Sequence, residues 1–365
     1  MIYLDHGATS FPKAPGVAAA MCDALGRCAN PGRGGYPAAM AAAEEVYACR
    51  ELAGKLFDCE PEQVALTSSC THGLNMAIRT LVKPGDRVVI TGFEHNAVTR
   101  PLHRLGASIT VAGRKLFDWD DTLQSWEAAL KTGPAAAVCT HVSNVFGYIL
   151  PVEEMAALCR KYRVPFVVDG AQSAGMLPLK LGELGADFIA MPGHKGLLGP
   201  QGTGLLLCAR LPEPLICGGT GSNSREREMP DFLPDRAEAG TLNVPGIAGL
   251  TAGMRYVNRT GVDTIFRCQC AQRQLCAREL EEMGVQVFTG DHQSGTLSFL
   301  PGMDPEEAAY GLAKLGISVR AGLHCAPLAH ESAGTLETGT VRVSFGHDAC
   351  QRQSRAFVRA VKKLR

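Results

Sequence analysis

Between Asp58 and Arg210, short apolar runs alternate with stretches whose apolar residues recur at helical spacing. The runs predict strands at Val64–Thr67, Arg87–Thr91, Ser108–Ala112, Ala135–Val142, Phe166–Asp169, Asp187–Met191 and Gly204–Cys208. Helices are predicted from near Thr71, near Asp120–Lys131 and over Val152–Tyr162. Near-continuous apolar strands alternating with helices imply a mostly parallel sheet covered on both faces. A sheet of that kind binds its ligand beyond the carboxyl ends of its strands.

The pattern changes after Leu211. Residues 212–246 are rich in Gly, Pro, Ser and Arg and show little periodicity. An irregular segment of that length inside a compact protein is usually functional. A helical pattern then runs from Ala248 through Met283, with a break expected near Gly261. Strands at Gln286–Phe288, Gly295–Leu300, Ile317–Arg320 and Thr340–Ser344, with a helix near Pro305–Leu315, suggest a small α+β domain. The expected fold class is therefore α/β. Residues 14–255 would form the large domain, and residues 1–13 with 256–365 the small one. A chain of 365 residues exceeds what one core usually holds, which agrees with two domains.

Composition narrows the function classes. Lys+Arg and Asp+Glu both number 36, so no basic excess points to nucleic acid or to an anionic membrane surface. The opening MIYLDHGATSFPK lacks the apolar run of a secretory signal, and no apolar stretch is long enough for a spanning helix. A cytoplasmic location with reduced thiols is the expectation. The 14 cysteines are scattered, with no CxxC pair and no second cluster, so no metal site is expected.

Candidate chemistry collects at strand ends. Asp169 closes VVDG and Gln172 lies three positions on. His194 and Lys195 sit between glycines in PGHKGLLGPQGTG. Cys70 and Thr71 lie at a strand-to-helix turn in TSSCTHG, and His95 opens a helix in FEHNAV. A pyridoxal phosphate site needs an imine-forming lysine, a carboxylate for the pyridine nitrogen, N–H donors at a helix start for the phosphate, and a flat group against the ring. Lys195, Asp169, Cys70–Thr71 and His95 supply these in turn. Each also has a plainer reading: Lys195 as a solvated loop lysine, Asp169 and Thr71 as helix caps, His95 as a capping or core histidine. GPQGTG lacks the helix entry of a dinucleotide fingerprint, and no GxxxxGK[ST] occurs.

The motif set YLDHGAT, GFEHNAV, HVSNVFG, VDGAQ, GHKGLLGP, EAGTLNVPG and RAGLHCAP resembles class V aminotransferase-fold enzymes, and within them the cysteine desulfurase and selenocysteine lyase group. The motifs run from Tyr3 to about Arg342, and Lys195 follows Asp169 by 26 positions. The resemblance implies a pyridoxal-phosphate-dependent transferase of fold type I. It implies Lys195 as the imine lysine, Asp169 as the pyridinium partner and Gln172 on the ring oxygen. His95 would stack on the ring and count with Lys195 and Cys325 as catalytic. Cys70, Thr71 and His194 would touch the phosphate, and Asn144 the ring oxygen and substrate carboxylate. A homodimer is also implied, with Thr220 of segment 212–246 lent to the neighbouring subunit as a phosphate donor. Two departures stand out. Pro192 occupies a position usually held by a phosphate-binding Ser or Thr, and His6 one where Asn is common.

Cys325 in VRAGLHCAPLAH selects the reaction. Read from its neighbours, it is either a buried structural cysteine or a thiolate whose pKa Arg320 and His324 lower, provided they face it. The resemblance favours the nucleophile. A metal reading of His324 with Cys325 fails if the two alternate along a strand. Arg342 in GTVRVSF is either a surface residue or a bidentate clamp for an α-carboxylate, and the resemblance implies the clamp, with Arg320 beside it. The function so implied is conversion of L-cysteine to L-alanine, with the sulfur passed to Cys325 as a persulfide and on to a sulfur-acceptor protein. The alternatives are selenocysteine lyase, a class V aminotransferase or C–S lyase that does not use Cys325, and a non-catalytic sulfur carrier on the same fold.

Overall fold

The computed structural model describes residues 1–32 and 34–364. In chain order it begins with β1 (Ile2–Tyr3), α1 (Val17–Arg27) and α2 (Pro37–Phe57). Then come β2 (Val64–Thr67), α3 (Cys70–Leu81), β3 (Arg87–Thr91), α4 (Asn96–Arg104), β4 (Ser108–Ala112), α5 (Trp119–Leu130) and β5 (Ala136–Thr140). They are followed by α6 (Val152–Tyr162), β6 (Phe166–Asp169), α7 (Leu181–Leu184), β7 (Phe188–Pro192) and β8 (Gly204–Cys208). These last seven strands, β2 to β8, form one sheet in the order β2-β8-β7-β6-β5-β3-β4. Only β8 runs antiparallel to its neighbours.

Adjacent residues of the inner strands point to opposite faces, yet both faces are covered. Ala137 and Cys139 of β5 join a core with Ala42 and Val46 of α2, Trp126 of α5 and Met155 of α6, while Ala136 and Val138 join Leu74 of α3 and Leu102 of α4. Hence the strand sequences read as unbroken apolar runs. Because β3, β5, β6 and β7 are parallel, the loops after them emerge along one edge of the sheet. Those loops carry His95, Asn144, Gln172 and Lys195.

The C-terminal part holds α8 (Val244–Thr260), α9 (Val262–Glu282), β9 (Gln286–Phe288), β10 (Thr296–Leu300) and α10 (Pro305–Lys314). It ends with β11 (Ile317–Ser318), β12 (Arg320–Gly322), α11 (Pro327–Ala333), β13 (Thr340–Ser344) and α12 (Gln351–Leu364). An antiparallel sheet in the order β12-β13-β10-β9 packs Leu297, Phe299, Val341 and Val343 against Leu280 of α9 and Phe357 of α12. The chain start joins this part, since β1 pairs with β11 and Asp5 bridges to Ser344.

Three expectations need correction. The single strand expected over Ile317–Arg320 is two, because the chain crosses at Val319 from pairing with β1 to pairing with β13. The helix expected from Ala248 begins at Val244, where the Asn243 side chain accepts from Gly246 N. Its break at Gly261 is as expected. The pattern reading gave no helix before Asp58, yet α1 and α2 are both there; α2 is alanine-rich with Pro37 in its first turn, a helix start that suits proline.

Candidate active site

The strand-to-helix turn after β2 is built by Ser69, whose hydroxyl caps α3 by accepting from His72 N. Gly204 of β8 makes the turn possible. A Cβ there would lie 2.8 Å from the Ser69 carbonyl carbon and 2.8 Å from Thr67 Oγ1. At the start of α3, Thr71, His72 and Asn75 line a cavity of about 480 Å³ together with Thr67 and Ser68. Thr71 is exposed into it. Pro192 ends β7 and pairs with Gly204. Hydroxyls are therefore available from the α3 turn although Pro192 offers none.

Cys70 lies differently. Its thiol is buried and turned to Asp169, donating to Oδ1 at 3.3 Å. Burial and the Asp169 charge push that thiol well above its ordinary pKa. The Cys70 thiol is thus committed to Asp169 and is not free to meet a phosphate. Asp169 is 2% exposed, and its Oδ1 also accepts from Ala171 N at 2.9 Å. Gln172 donates from Nε2 to Gly7 O at 3.0 Å.

Lys195 follows in a glycine-flanked loop whose backbone tightness is enforced. Cβ atoms at Gly193 and Gly196 would lie 2.1 Å from Thr203 Oγ1 and 2.2 Å from Ala174 O. The Lys195 ammonium has no hydrogen bond or ion pair among the described residues. Its pKa is lowered by burial, with the Asp169 charge opposing. A lysine of that kind releases its proton more readily than a solvated one. His194 turns its Nδ1 to Thr9 Oγ1 at 3.1 Å, and burial pulls its pKa down to about 4.

His95 is the N-cap of α4, accepting at Nδ1 from Ala97 N at 3.0 Å. The capping reading and the ring-stacking reading are compatible, since the cap fixes the ring's orientation. Burial lowers its pKa, which keeps the ring neutral near pH 7. Beneath it, Glu94 is fully buried and ties β3 to β5 by accepting from Thr91 Oγ1 at 2.6 Å and Thr140 N at 2.9 Å.

Arg342 of β13 is 2% exposed, so the surface reading of it is wrong. Its Nη1 donates to Asn144 O at 2.9 Å and its Nη2 to Asp5 Oδ1 at 2.6 Å, while its buried Nε has no partner among the described residues. Arg320 donates from Nε to Asp5 Oδ2 at 3.0 Å. Asp5 is a residue that pattern and spacing missed. The only signal was its place in YLDHGAT, with nothing to show which groups it meets.

Cys325 is exposed, in a turn between β12 and α11 rather than on a strand. His324 and Cys325 both have left-handed backbones, with φ of 50° and 58°. Such residues cost about 1–2 kcal/mol each and persist only where surroundings hold them. Here Asn144 Nδ2 donates to His324 O at 2.7 Å, and Asn96 N donates to Cys325 O at 2.8 Å. Among the described residues neither His324 nor Arg320 bonds the Cys325 thiol. His324 is buried, within reach of Thr340 Oγ1 at 3.3 Å, and burial with the Arg342 charge pushes its pKa down to about 2. Arg320 is engaged by Asp5. Thr220 lies away from Lys195, beside a second cavity of about 580 Å³ with Tyr47, Arg50 and Asp235.

Comparison with known proteins agrees with this arrangement. The family model for aminotransferase class-V matches residues 2–357. The chain belongs to the class-V aminotransferase family. This is a family of enzymes with fold type I architecture. The chain is 32% identical over 367 residues to a probable cysteine desulfurase of Pyrococcus abyssi, covering 94% of this chain and 89% of that protein. It is 33% identical over 361 residues to a probable cysteine desulfurase of Methanothermobacter thermautotrophicus, covering 94% and 90%. The apo cysteine desulfurase structure from Thermococcus onnurineus NA1 superposes with a TM-score of 0.91 at 30% identity, over 100% of this chain and 94% of that one. Among the described residues no metal-binding cluster occurs, and no helix is long and apolar enough to cross a membrane.

Proposed function

We propose that this family member is a pyridoxal-phosphate-dependent cysteine desulfurase, which converts L-cysteine to L-alanine and takes the sulfur onto Cys325. The observation that carries the reading is the stapled turn. The backbone that carries the exposed Cys325 thiol is held by Asn96, next to His95, and by Asn144, whose carbonyl accepts from Arg342. A protein that needed only the cofactor would have no reason to hold a strained cysteine turn there.

The residues present fit the cofactor. Asp169 suits the pyridine nitrogen, Gln172 the ring oxygen and the His95 ring the flat face. The α3 turn with Thr71, the Cys70 backbone and His194 suits the phosphate, and Lys195 the aldehyde carbon. When bound, pyridoxal phosphate supplies an electron sink for the substrate's α-carbon. Arg342, with Asn144 and Arg320 beside it, binds the amino acid carboxylate through its guanidinium. Lys195 Nζ, held by burial below its ordinary pKa, takes the α-proton and returns one. Cys325 Sγ attacks the substrate sulfur, so that an S–S bond forms as the C–S bond breaks. Exposure leaves the resulting persulfide open to a sulfur-acceptor protein. The active unit in this reading is a homodimer, with Thr220 completing the partner's phosphate site.

Alanine release from L-cysteine by the holoenzyme tests this. Wild type is expected to turn over with a thiol reductant present, and Cys325→Ala to keep cofactor absorbance while losing at least about 100-fold in rate. Full activity in Cys325→Ala refutes the assigned nucleophile.

A further inference from the structure

Arg320 and Arg342 are direct cross-strand partners on β12 and β13. Like charges at such a pair repel. Asp5 resolves the conflict by placing one carboxylate oxygen on each guanidinium, at 3.0 Å and 2.6 Å. Asp5 is itself held in place. It is 8% exposed, its backbone bridges to Ser344 of β13, and its carbonyl accepts from Tyr3 Oη at 3.1 Å. From the other side Asn144 O takes Arg342 Nη1, and Gly7 lies so close that a Cβ there would be 3.2 Å from Arg342 Cζ. The guanidinium plane is thus fixed on three sides. Two arginines and one carboxylate leave one positive charge unbalanced, which matches one carboxylate of an incoming amino acid.

Resting on the desulfurase reading above, we infer that Asp5 is a positioning residue for substrate recognition: it holds Arg342 and Arg320 as one preorganised receptor for a single α-carboxylate. Asp5 touches neither substrate nor cofactor and acts through the arginines. The fork pays its ordering cost before the substrate arrives, so losing Asp5 weakens carboxylate binding without altering the proton and sulfur steps.

The test uses the holoenzyme. L-alanine binding is read from the change in cofactor absorbance, and kcat and KM from alanine release with L-cysteine, at a temperature where circular dichroism shows every variant folded. Asp5→Asn is expected to raise the L-alanine dissociation constant and the KM by about tenfold or more, with kcat within about threefold. Asp5→Glu, which keeps the charge, is expected to raise both by less. Unchanged or lowered values in Asp5→Asn overturn the assignment, as does a fall in kcat at constant KM. Should wild type form no alanine from L-cysteine while Asp5→Asn still binds L-alanine more weakly, the desulfurase reading fails and the role of Asp5 stands.

Discussion

At the scale of single residues, the candidate site rests on charges that burial has shaped. Arg342 is the clearest case. Its planar fork serves Asn144 O, Asp5 and, in the proposed complex, a carboxylate, and a lysine reproduces the charge without the fork. Arg342→Lys is expected to raise the KM for L-cysteine by at least about tenfold, measured by alanine release. Lys195→Ala is expected to abolish the cofactor's imine absorbance and to lower turnover by on the order of 1000-fold or more. Residue identity made Lys195, Asp169, His95 and Arg342 visible in the sequence, because each belongs to a motif with a chemical need behind it. Asp5 and Asn96 were not visible as site residues. Their roles come from pairings with residues 337 and 229 positions away, and no local pattern encodes those.

At the scale of elements, turns decide the outcome. The apolar runs of β2, β3, β6 and β8 stand where the sequence predicts them, because burial on both faces writes itself into consecutive residues. The turn at His324–Cys325 was harder to foresee. Left-handed backbones are uncommon for any residue but glycine, and the restraints come from Asn144 and Asn96 elsewhere in the chain. That distant anchoring also explains why His324 faces inward instead of toward the Cys325 thiol. The α3 turn gives an element-level prediction. Gly204→Val forces a branched side chain against Ser69 and Thr67, and Met191 O lies 3.0 Å from the added Cβ. Crowding of this kind costs about 1–3 kcal/mol. The expected result is a lower unfolding midpoint in urea together with weaker retention of pyridoxal phosphate on dialysis. Unchanged retention would show that the turn does not bind the phosphate.

At the scale of the whole molecule, ionisation links stability to pH. Burial holds His6, His141, His194 and His330 down at about 4, and His324 at about 2. Unfolded, these rings take up protons near pH 6.5, whereas in the folded protein they do so only at about 4 or below. Between those values the unfolded chain binds more protons, so stability falls as pH falls. Glu94 works the other way. Burial raises it to about 8, so its contribution is present below about 4.5 and is lost as pH rises through about 8. Five histidines outweigh one glutamate, each at ~1.4 kcal/mol per fully separated pH unit. The unfolding midpoint is therefore expected to be lower at pH 5 than at pH 7 in urea titrations, and an equal or higher midpoint at pH 5 would contradict the buried neutral histidines. The same scale holds the central claim, because sulfur transfer needs the sheet-edge loops and the Cys325 turn together. Mass spectrometry of the holoenzyme after brief exposure to L-cysteine without reductant tests it most directly. The account predicts one added sulfur atom on the peptide carrying Cys325, removed by reductant and formed with an equivalent of L-alanine. Alanine formed with no added sulfur on Cys325, or sulfur carried on another cysteine, would contradict it.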